Sequence, residues 1–282
     1  MTAFHRRTLL VSGAGLTAVA LAACGAGGST AEGPKEKNGV TTITIGASPV
    51  PHAKILQFVQ DSLAKKAGLQ LKITQYTDYQ IPNRALSDGD LDANYYQTPN
   101  FLKDQEKEKG YEFFAFKGVH IEPMGLYSKK ATKLDQIPAG AEIAIPNDTS
   151  NRARALSLLA DNGLITFKAG VEKTAARSTD VDQNAKNLTF REVEAAQIPR
   201  SLGDFGAAVI NGNYALEAGL KPNQQAIVLE KGKDSPYANI VVCRAADKDN
   251  AGLKKLDELL HSAEVKAFIE KTWTDGAVIP AF

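Results

Sequence analysis

Cysteine is almost absent: the 282 residues hold only Cys24 and Cys243. A disulfide framework is excluded, so the chain must draw its stability from an apolar core. Charge of one sign is not in excess, with 33 Lys and Arg against 32 Asp and Glu. Without a basic surplus, nucleic acid is excluded as a partner. Histidine occurs at His5, His52, His120 and His261, far apart in sequence, and no HExxH, GxSxG or P-loop pattern accompanies it. A hydrolase built on His52 or His120 therefore lacks its nucleophile motif, and no enzyme activity is expected. The same two histidines lack an evident carboxylate as third ligand, so neither a metal nor another cofactor is expected. No apolar run is long enough, without glycine breaks, to span a bilayer permanently.

What is present starts at Cys24, which closes Leu21-Ala22-Ala23-Cys24 after an apolar stretch from Leu9 to Leu21. Arg6 and Arg7 precede that stretch, and Gly13 and Gly15 interrupt it. This layout predicts a removable lipoprotein signal over residues 1–23. Cys24 is then the lipidated N-terminus, anchoring the protein on the extracytoplasmic face of a membrane. Two acyl chains anchor stably where one does not, each buried methylene contributing about 0.8 kcal/mol. The paired arginines leave general secretory and twin-arginine export both open. Residues 24–39, rich in Gly, Ser, Glu and Lys, read as a flexible linker able to reach roughly 20 Å.

From residue 40 onward, strand and helix signals alternate. Thr41 to Ala47 is β-branched and alternating; Pro49 and Pro51 then delay the helix to Ala53–Lys66, where Ile55, Leu56, Val59 and Leu63 share one face. Strands are expected at Leu69–Tyr76, Leu91–Gln97, Tyr111–Phe116 and His120–Tyr127, with helices at Pro82–Leu86 and Pro99–Lys109. The pattern restarts with a strand at Glu142–Pro146 and a helix at Ser150–Asn162, then strands at Leu188–Val193, Ala207–Ile210, Gln225–Glu230 and Asn239–Arg244. Cys243 reads as a buried strand residue. Two closing helices, Asp247–His261 and Ala263–Trp273, lack a sheet of their own and are expected to pack back on the first block. The chain should then cross between blocks near Met124–Tyr127 and again near Ala238–Val242. Doubly connected α/β blocks make a hinge with a cleft.

Seven ordered stretches carry a specific likeness: Gly46-Ala47-Ser48-Pro49-Val50-Pro51-His52-Ala53, Tyr79-Gln80-Ile81-Pro82-Asn83, Asp92-Ala93-Asn94-Tyr95-Tyr96-Gln97, Ile145-Pro146-Asn147-Asp148, Gln197-Ile198-Pro199-Arg200-Ser201-Leu202, Ala208-Val209-Ile210-Asn211 and Ser235-Pro236-Tyr237-Ala238-Asn239. In these the chain resembles the methionine-binding lipoproteins, the substrate-binding components of ABC importers. The resemblance implies an α/β, two-lobed type II periplasmic-binding-protein fold, each lobe a mostly parallel sheet flanked by helices, with a cleft between them. Lobe 1 would comprise residues 40–126 and 239–282, and lobe 2 residues 127–238. It also implies a lipid-anchored monomer that captures L-methionine and delivers it to a membrane permease and its ATPase.

By the same resemblance Arg154 holds the ligand carboxylate with Asn151 beside it, and a helix N-terminus opened by Asp148 also favours an anion there. Asn211 emerges at a strand's carboxyl end and Asn239 at the second crossover; matching asparagines contact the amino-acid backbone in the family. An amide can accept from an ammonium and donate to a carboxylate. Tyr79 and Tyr96 match the family's aromatic wall for the thioether, with Tyr76 a further candidate and Tyr95 facing the other way. Many relatives carry histidine where this chain has Thr98. That leaves the far end of the pocket wider or wetter, and admits D-methionine, methionine sulfoxide, a methionine dipeptide or another apolar amino acid as alternatives. A surface lipoprotein serving adhesion is the reading from another class.

Overall fold

The computed structural model describes residues 32–232 and 235–282; the expected export signal and Cys24 lie outside them. Strands β1 (Glu36–Lys37) and β2 (Val40–Ala47) lead to α1 (Lys54–Ser62), β3 (Leu69–Gln75), α2 (Ile81–Asp88), β4 (Ala93–Gln97), α3 (Pro99–Lys109) and β5 (Phe113–Ile121). Next come β6 (Gly125–Tyr127), β7 (Glu142–Pro146), α4 (Thr149–Asp161), β8 (Thr189–Val193), β9 (Ala207–Ile210), α5 (Gly212–Glu217), α6 (Pro222–Gln225) and β10 (Val228–Leu229). The chain finishes with β11 (Asn239–Arg244), α7 (Ala251–Leu260), α8 (Ala263–Thr272) and β12 (Ile279–Pro280). Among the described residues no helix is long and apolar enough to cross a membrane.

These strands form two sheets. The seven-stranded one runs β1-β2-β4-β11-β5-β12, with β3 also paired to β2, and the five-stranded one runs β10-β6-β9-β7-β8. Pairing is parallel where strand, helix and strand follow one another, at β2–β3, β2–β4, β7–β8 and β7–β9. Elsewhere it is antiparallel, so both sheets are mixed rather than mostly parallel. The cause is the crossing chain: β11 returns from the other sheet and inserts between β4 and β5 against the direction of both.

The expected strand His120–Tyr127 is two strands belonging to different sheets. Pro123, which has no N–H to give to a ladder, sits in the break. The first crossing is therefore Glu122–Met124, and the second is complete before Asn239, since all of β11 lies in the seven-stranded sheet. The two crossings touch: Glu230 N–H donates to Met124 O at 2.9 Å, and Met124 N–H donates to the Glu230 carboxylate at 2.7 Å.

The expected linker also ends earlier than residue 39. Asn38 and Gly39 both take positive φ (55° and 77°), the requirement of a two-residue turn whose twist suits a hairpin, and they join β1 to β2. The Pro34 carbonyl before them accepts from Asn250 Nδ2 at 2.8 Å. Helix α1 is shorter than its pattern, because the apolar run after Ser62 continues as a 3-10 turn, Ala64–Ala67, into Gly68 at φ 69°.

Each sheet has its own core. Ile43, Ile45, Tyr95 and Val241 pack against Ile55, Leu56, Leu256 and Ile269, which settles α7 and α8 on the first sheet. Met124, Leu126, Ile143 and Val209 pack against Leu156 and Leu159 of α4 in the second. Each such side chain contributes about 1.5–3 kcal/mol by leaving water. A third cluster joins Tyr79, Tyr96 and Phe101 to Tyr127, Ile210 and Tyr214, drawing on elements of both sheets. Cys243 is fully buried in β11, and burial pushes its thiol up to about 12. In a Cys24→Ser protein we expect one thiol that a colorimetric disulfide titrates only after denaturation. Immediate reaction in native buffer would contradict this placement.

Candidate functional site

Between the two sheets lies a small cavity of about 20 Å³. Seven of the residues singled out from the sequence line it: Tyr79, Tyr96, Thr98, Asn151, Arg154, Asn211 and Asn239. Tyr76 does not. Its backbone N–H continues the β3 pairing by donating to Ala47 O at 2.9 Å, and its ring lies over Gly46, in the space a Cβ there would occupy.

One wall is aromatic. Tyr96 stands on β4 with its ring 5.8 Å from Tyr79, and its hydroxyl donates to Tyr79 O at 3.3 Å. Tyr95, next in the strand, points to the opposite face and joins the first sheet's core. Thr98 caps α3, its Oγ1 accepting from Phe101 N–H at 3.5 Å. That cap turns Phe101, absent from the sequence reading, into the wall, 5.7 Å from Tyr79 and 5.9 Å from Tyr96. The space left by threonine is therefore bordered by a ring from one helical turn on. Behind Tyr96 a buried amide network fixes β4: Asn94 Nδ2 donates to Asn83 Oδ1 at 2.9 Å, and Gln97 Nε2 donates to Asn83 Oδ1 and Asn94 Oδ1 at 2.8 Å each. The Tyr79 hydroxyl reaches across to Asn213 Oδ1 at 2.5 Å.

The opposite wall is polar and is built at two helix starts. Asp148 caps α4 through Asn151 N–H at 2.9 Å and also accepts from the Asn151 amide, orienting it. Asn151 Oδ1 then accepts from Asn211 Nδ2 at 2.7 Å. Asn211, at the start of α5, leaves its Oδ1 buried without a partner among the described residues, and Asn213 leaves its Nδ2 likewise. An unpaired buried acceptor and an unpaired buried donor cost about 1–3 kcal/mol each. A ligand that supplies a donor to one and an acceptor to the other recovers that cost.

Arg154 is 6% exposed, and it is not a free cation. Its Nε and Nη2 donate to the Glu230 carboxylate at 2.8 and 2.5 Å, and Nη2 also donates to Glu122 O at 3.1 Å. The Tyr237 ring centroid lies 4.1 Å from the guanidinium carbon. The sequence reading anticipated Arg154 and missed Glu230.

Asn239 connects the cavity to a buried cluster, with its Oδ1 accepting from His52 Nε2 at 2.9 Å. His52 and His120, whose rings lie 4.7 Å apart, do meet. Contrary to expectation a carboxylate accompanies them: Glu122 Oε1 is 2.7 Å from His120 Nε2 and 3.2 Å from His52 Nε2. Two residues apart on an extended chain, His120 and Glu122 share a face, and that spacing was the available signal. The three are of metal-ligating type, with ligand atoms within 4.8 Å of one another. The hydrogen bonds nevertheless describe a proton network. The Tyr95 hydroxyl bonds His120 Nδ1, leaving His120 Nε2 to carry the proton that meets Glu122. Burial lowers His52 to about 4 and His120 to about 3, so both rings are neutral at pH 7. Burial also raises the Glu122 carboxyl, against the opposing pull of His52, Arg154 and the Asn213 N–H.

The comparisons with known proteins agree with one another. The methionine-binding lipoprotein MetQ of Bacillus subtilis (strain 168) is 39% identical over 265 residues, covering 92% of this chain and 93% of its own. A nutrient binding protein from Burkholderia cenocepacia, solved bound to methionine, is 44% identical with a TM-score of 0.81, covering 85% of this chain and all of that one. A Coxiella burnetii protein described as an ABC transporter, periplasmic substrate-binding protein, is 40% identical with a TM-score of 0.80 over 85% and 100%. The fold is that of the periplasmic substrate-binding lipoproteins. Residues 43–282 match the family described as NlpA lipoprotein, and with relatives this similar over nearly the full length, the chain belongs to that family.

Proposed function

We propose that the protein is a lipid-anchored receptor on the extracytoplasmic face of the membrane that captures L-methionine and delivers it to an ABC importer, with no catalysis. The observation that carries the reading is the pairing of two unsatisfied amides, Asn211 Oδ1 and Asn213 Nδ2, with an aromatic wall in one cavity. On this reading the ligand ammonium donates to Asn211 Oδ1, with Asn239 and Asn151 alongside. The carboxylate accepts from Asn213 Nδ2 and Arg154. The thioether lies against Tyr79, Tyr96 and Phe101, where each sulfur–ring contact is worth about 0.3–1.5 kcal/mol. The crossing at Glu122–Met124 moves the expected lobe boundary: residues 36–122 with 239–282 form one lobe, and the chain from Gly125 through β10 forms the other; Cys24 carries the lipid, and the receptor acts as a monomer.

Calorimetric titration of ligand-free protein with the twenty amino acids tests the reading. We expect saturable binding of methionine, and at a hundredfold excess over Kd a stabilisation of about 2.7 kcal/mol seen as a raised Tm. Saturation by a different ligand class alone would overturn the methionine reading. D-methionine and methionine sulfoxide belong in the same series, because Thr98 in place of histidine leaves the tail end of the site less restricted. No Tm change with any of them would favour the adhesion reading.

A further inference from the structure

Arg154 stands between two hollows. One is the cavity just described; the other is lined by Asp161, Leu229, Lys231 and Tyr237, and Arg154 and Glu230 border it too. That second hollow has about 570 Å³ of space, more than an arginine side chain fills. The Tyr237 ring covers the guanidinium at 4.1 Å, but a ring face offers no hydrogen bond that chooses which nitrogen faces which hollow. A long side chain beside open space keeps its rotamer freedom unless something directional removes it.

We infer that Glu230 is the positioning residue for ligand recognition by Arg154, fixing the guanidinium so that its Nη1 group alone remains to meet a carboxylate. This rests on the proposed role of Arg154. A guanidinium is planar, so holding its Nε–Nη2 edge bidentately also fixes the direction of Nη1. Nε and Nη2 are both engaged by Glu230, Nη2 has the Glu122 carbonyl as well, and Nη1 makes no hydrogen bond among the described residues. Glu230 is itself anchored, since its Oε2 accepts from Met124 N–H at 2.7 Å and its own N–H donates to Met124 O. The carboxylate is therefore tied to the backbone of the first crossing and carries that fixed position to the arginine. A second consequence is partial neutralisation: Arg154 meets an incoming carboxylate with its charge already shared, which suits a receptor that must release its ligand.

The test compares methionine with methioninamide, which lacks the carboxylate, on wild type, Glu230→Gln and Arg154→Ala. For Glu230→Gln we expect methionine affinity to fall roughly tenfold while methioninamide affinity changes little, so the preference for the acid shrinks by the same factor. Equal preference in wild type and Glu230→Gln would overturn the inference. So would tighter methionine binding by Glu230→Gln, since that result assigns Glu230 only a competing charge. A ligand-independent readout separates this inference from the methionine reading. In ligand-free protein the Arg154 Nε–H resonance should exchange slowly with water in wild type and fast in Glu230→Gln. Slow exchange in both would sink the positioning role even if methionine binds, whereas wild type that never saturates with methionine sinks the reading of the site instead.

Discussion

Arg154→Ala should weaken methionine binding by about 2–5 kcal/mol, because one member of a buried, charged, hydrogen-bonded pair is lost from the complex. Calorimetry on folded variant and wild type measures this, and a loss below tenfold would remove Arg154 from the site. The same substitution should also destabilise the ligand-free protein by about 3–5 kcal/mol, the usual result when a buried ion pair loses one partner. Glu230 is left 13% exposed with no cation, Glu122 O loses a donor, and the Tyr237 ring loses the guanidinium over it. The two effects separate experimentally, since the stability loss appears in a denaturant titration without ligand. Arg154→Lys keeps the charge but has no planar fork, so it should recover only part of either.

Acid should cost the protein stability at its buried histidines. His52 titrates near 4 and His120 near 3 in the folded chain, against about 6.5 for each when unfolded. Between pH 6.5 and these values the unfolded state binds more protons, so stability falls as pH falls through that window. The drop for His52 alone corresponds to about 3 kcal/mol. Burial is the main cause for both rings. For His52, Glu122 and the Asn239 hydrogen bond pull the other way, while His120 adds to the fall. Glu122 acts in the opposite sense: its carboxyl is raised, so the folded state takes up its proton earlier and regains some stability in acid. The raised carboxyls of Asp92, Asp104, Asp148, Glu194 and Glu217, the last pushed up to about 7, act with Glu122, and His261 is raised as well, so the histidine contribution is read as a difference between two proteins and not from the wild-type profile alone. Between pH 7 and pH 4 the Tm of wild type should fall relative to that of His52→Gln. Parallel Tm profiles for the two proteins would show that the His52 site takes up its proton without strain.

The legible parts of the site are those where one short stretch sets both identity and direction. Asn211 follows a fully apolar strand and opens a helix, so its side chain has to emerge where strands of such sheets meet ligands. Tyr95 and Tyr96 separate by strand alternation alone. Glu230 was not legible, because one acid after Val228-Leu229 looks like any solvated strand end and its partner lies 76 positions away. Phe101 was hidden for a different reason: an aromatic in the first turn of an amphipathic helix reads as core, and only the Thr98 cap aims it at the cavity. Tyr76 failed as a site residue because Gly46 offers its ring a seat on the sheet, a contact between strands that spacing does not disclose. The mixed sheets have the same origin, since β11 takes its direction from where the chain returns and not from its own residues.

The mutual hydrogen bonds of Met124 and Glu230, continued by the pairing of Gly125 with Leu229, stitch the two connecting segments into one strip. Two independent tethers would let the halves slide, shear or twist. A single seam allows them to swing and little else, as a door hung on one pin does. Bonds on the seam survive that swing, and bonds away from it, such as Tyr79 to Asn213, are the latch it has to undo.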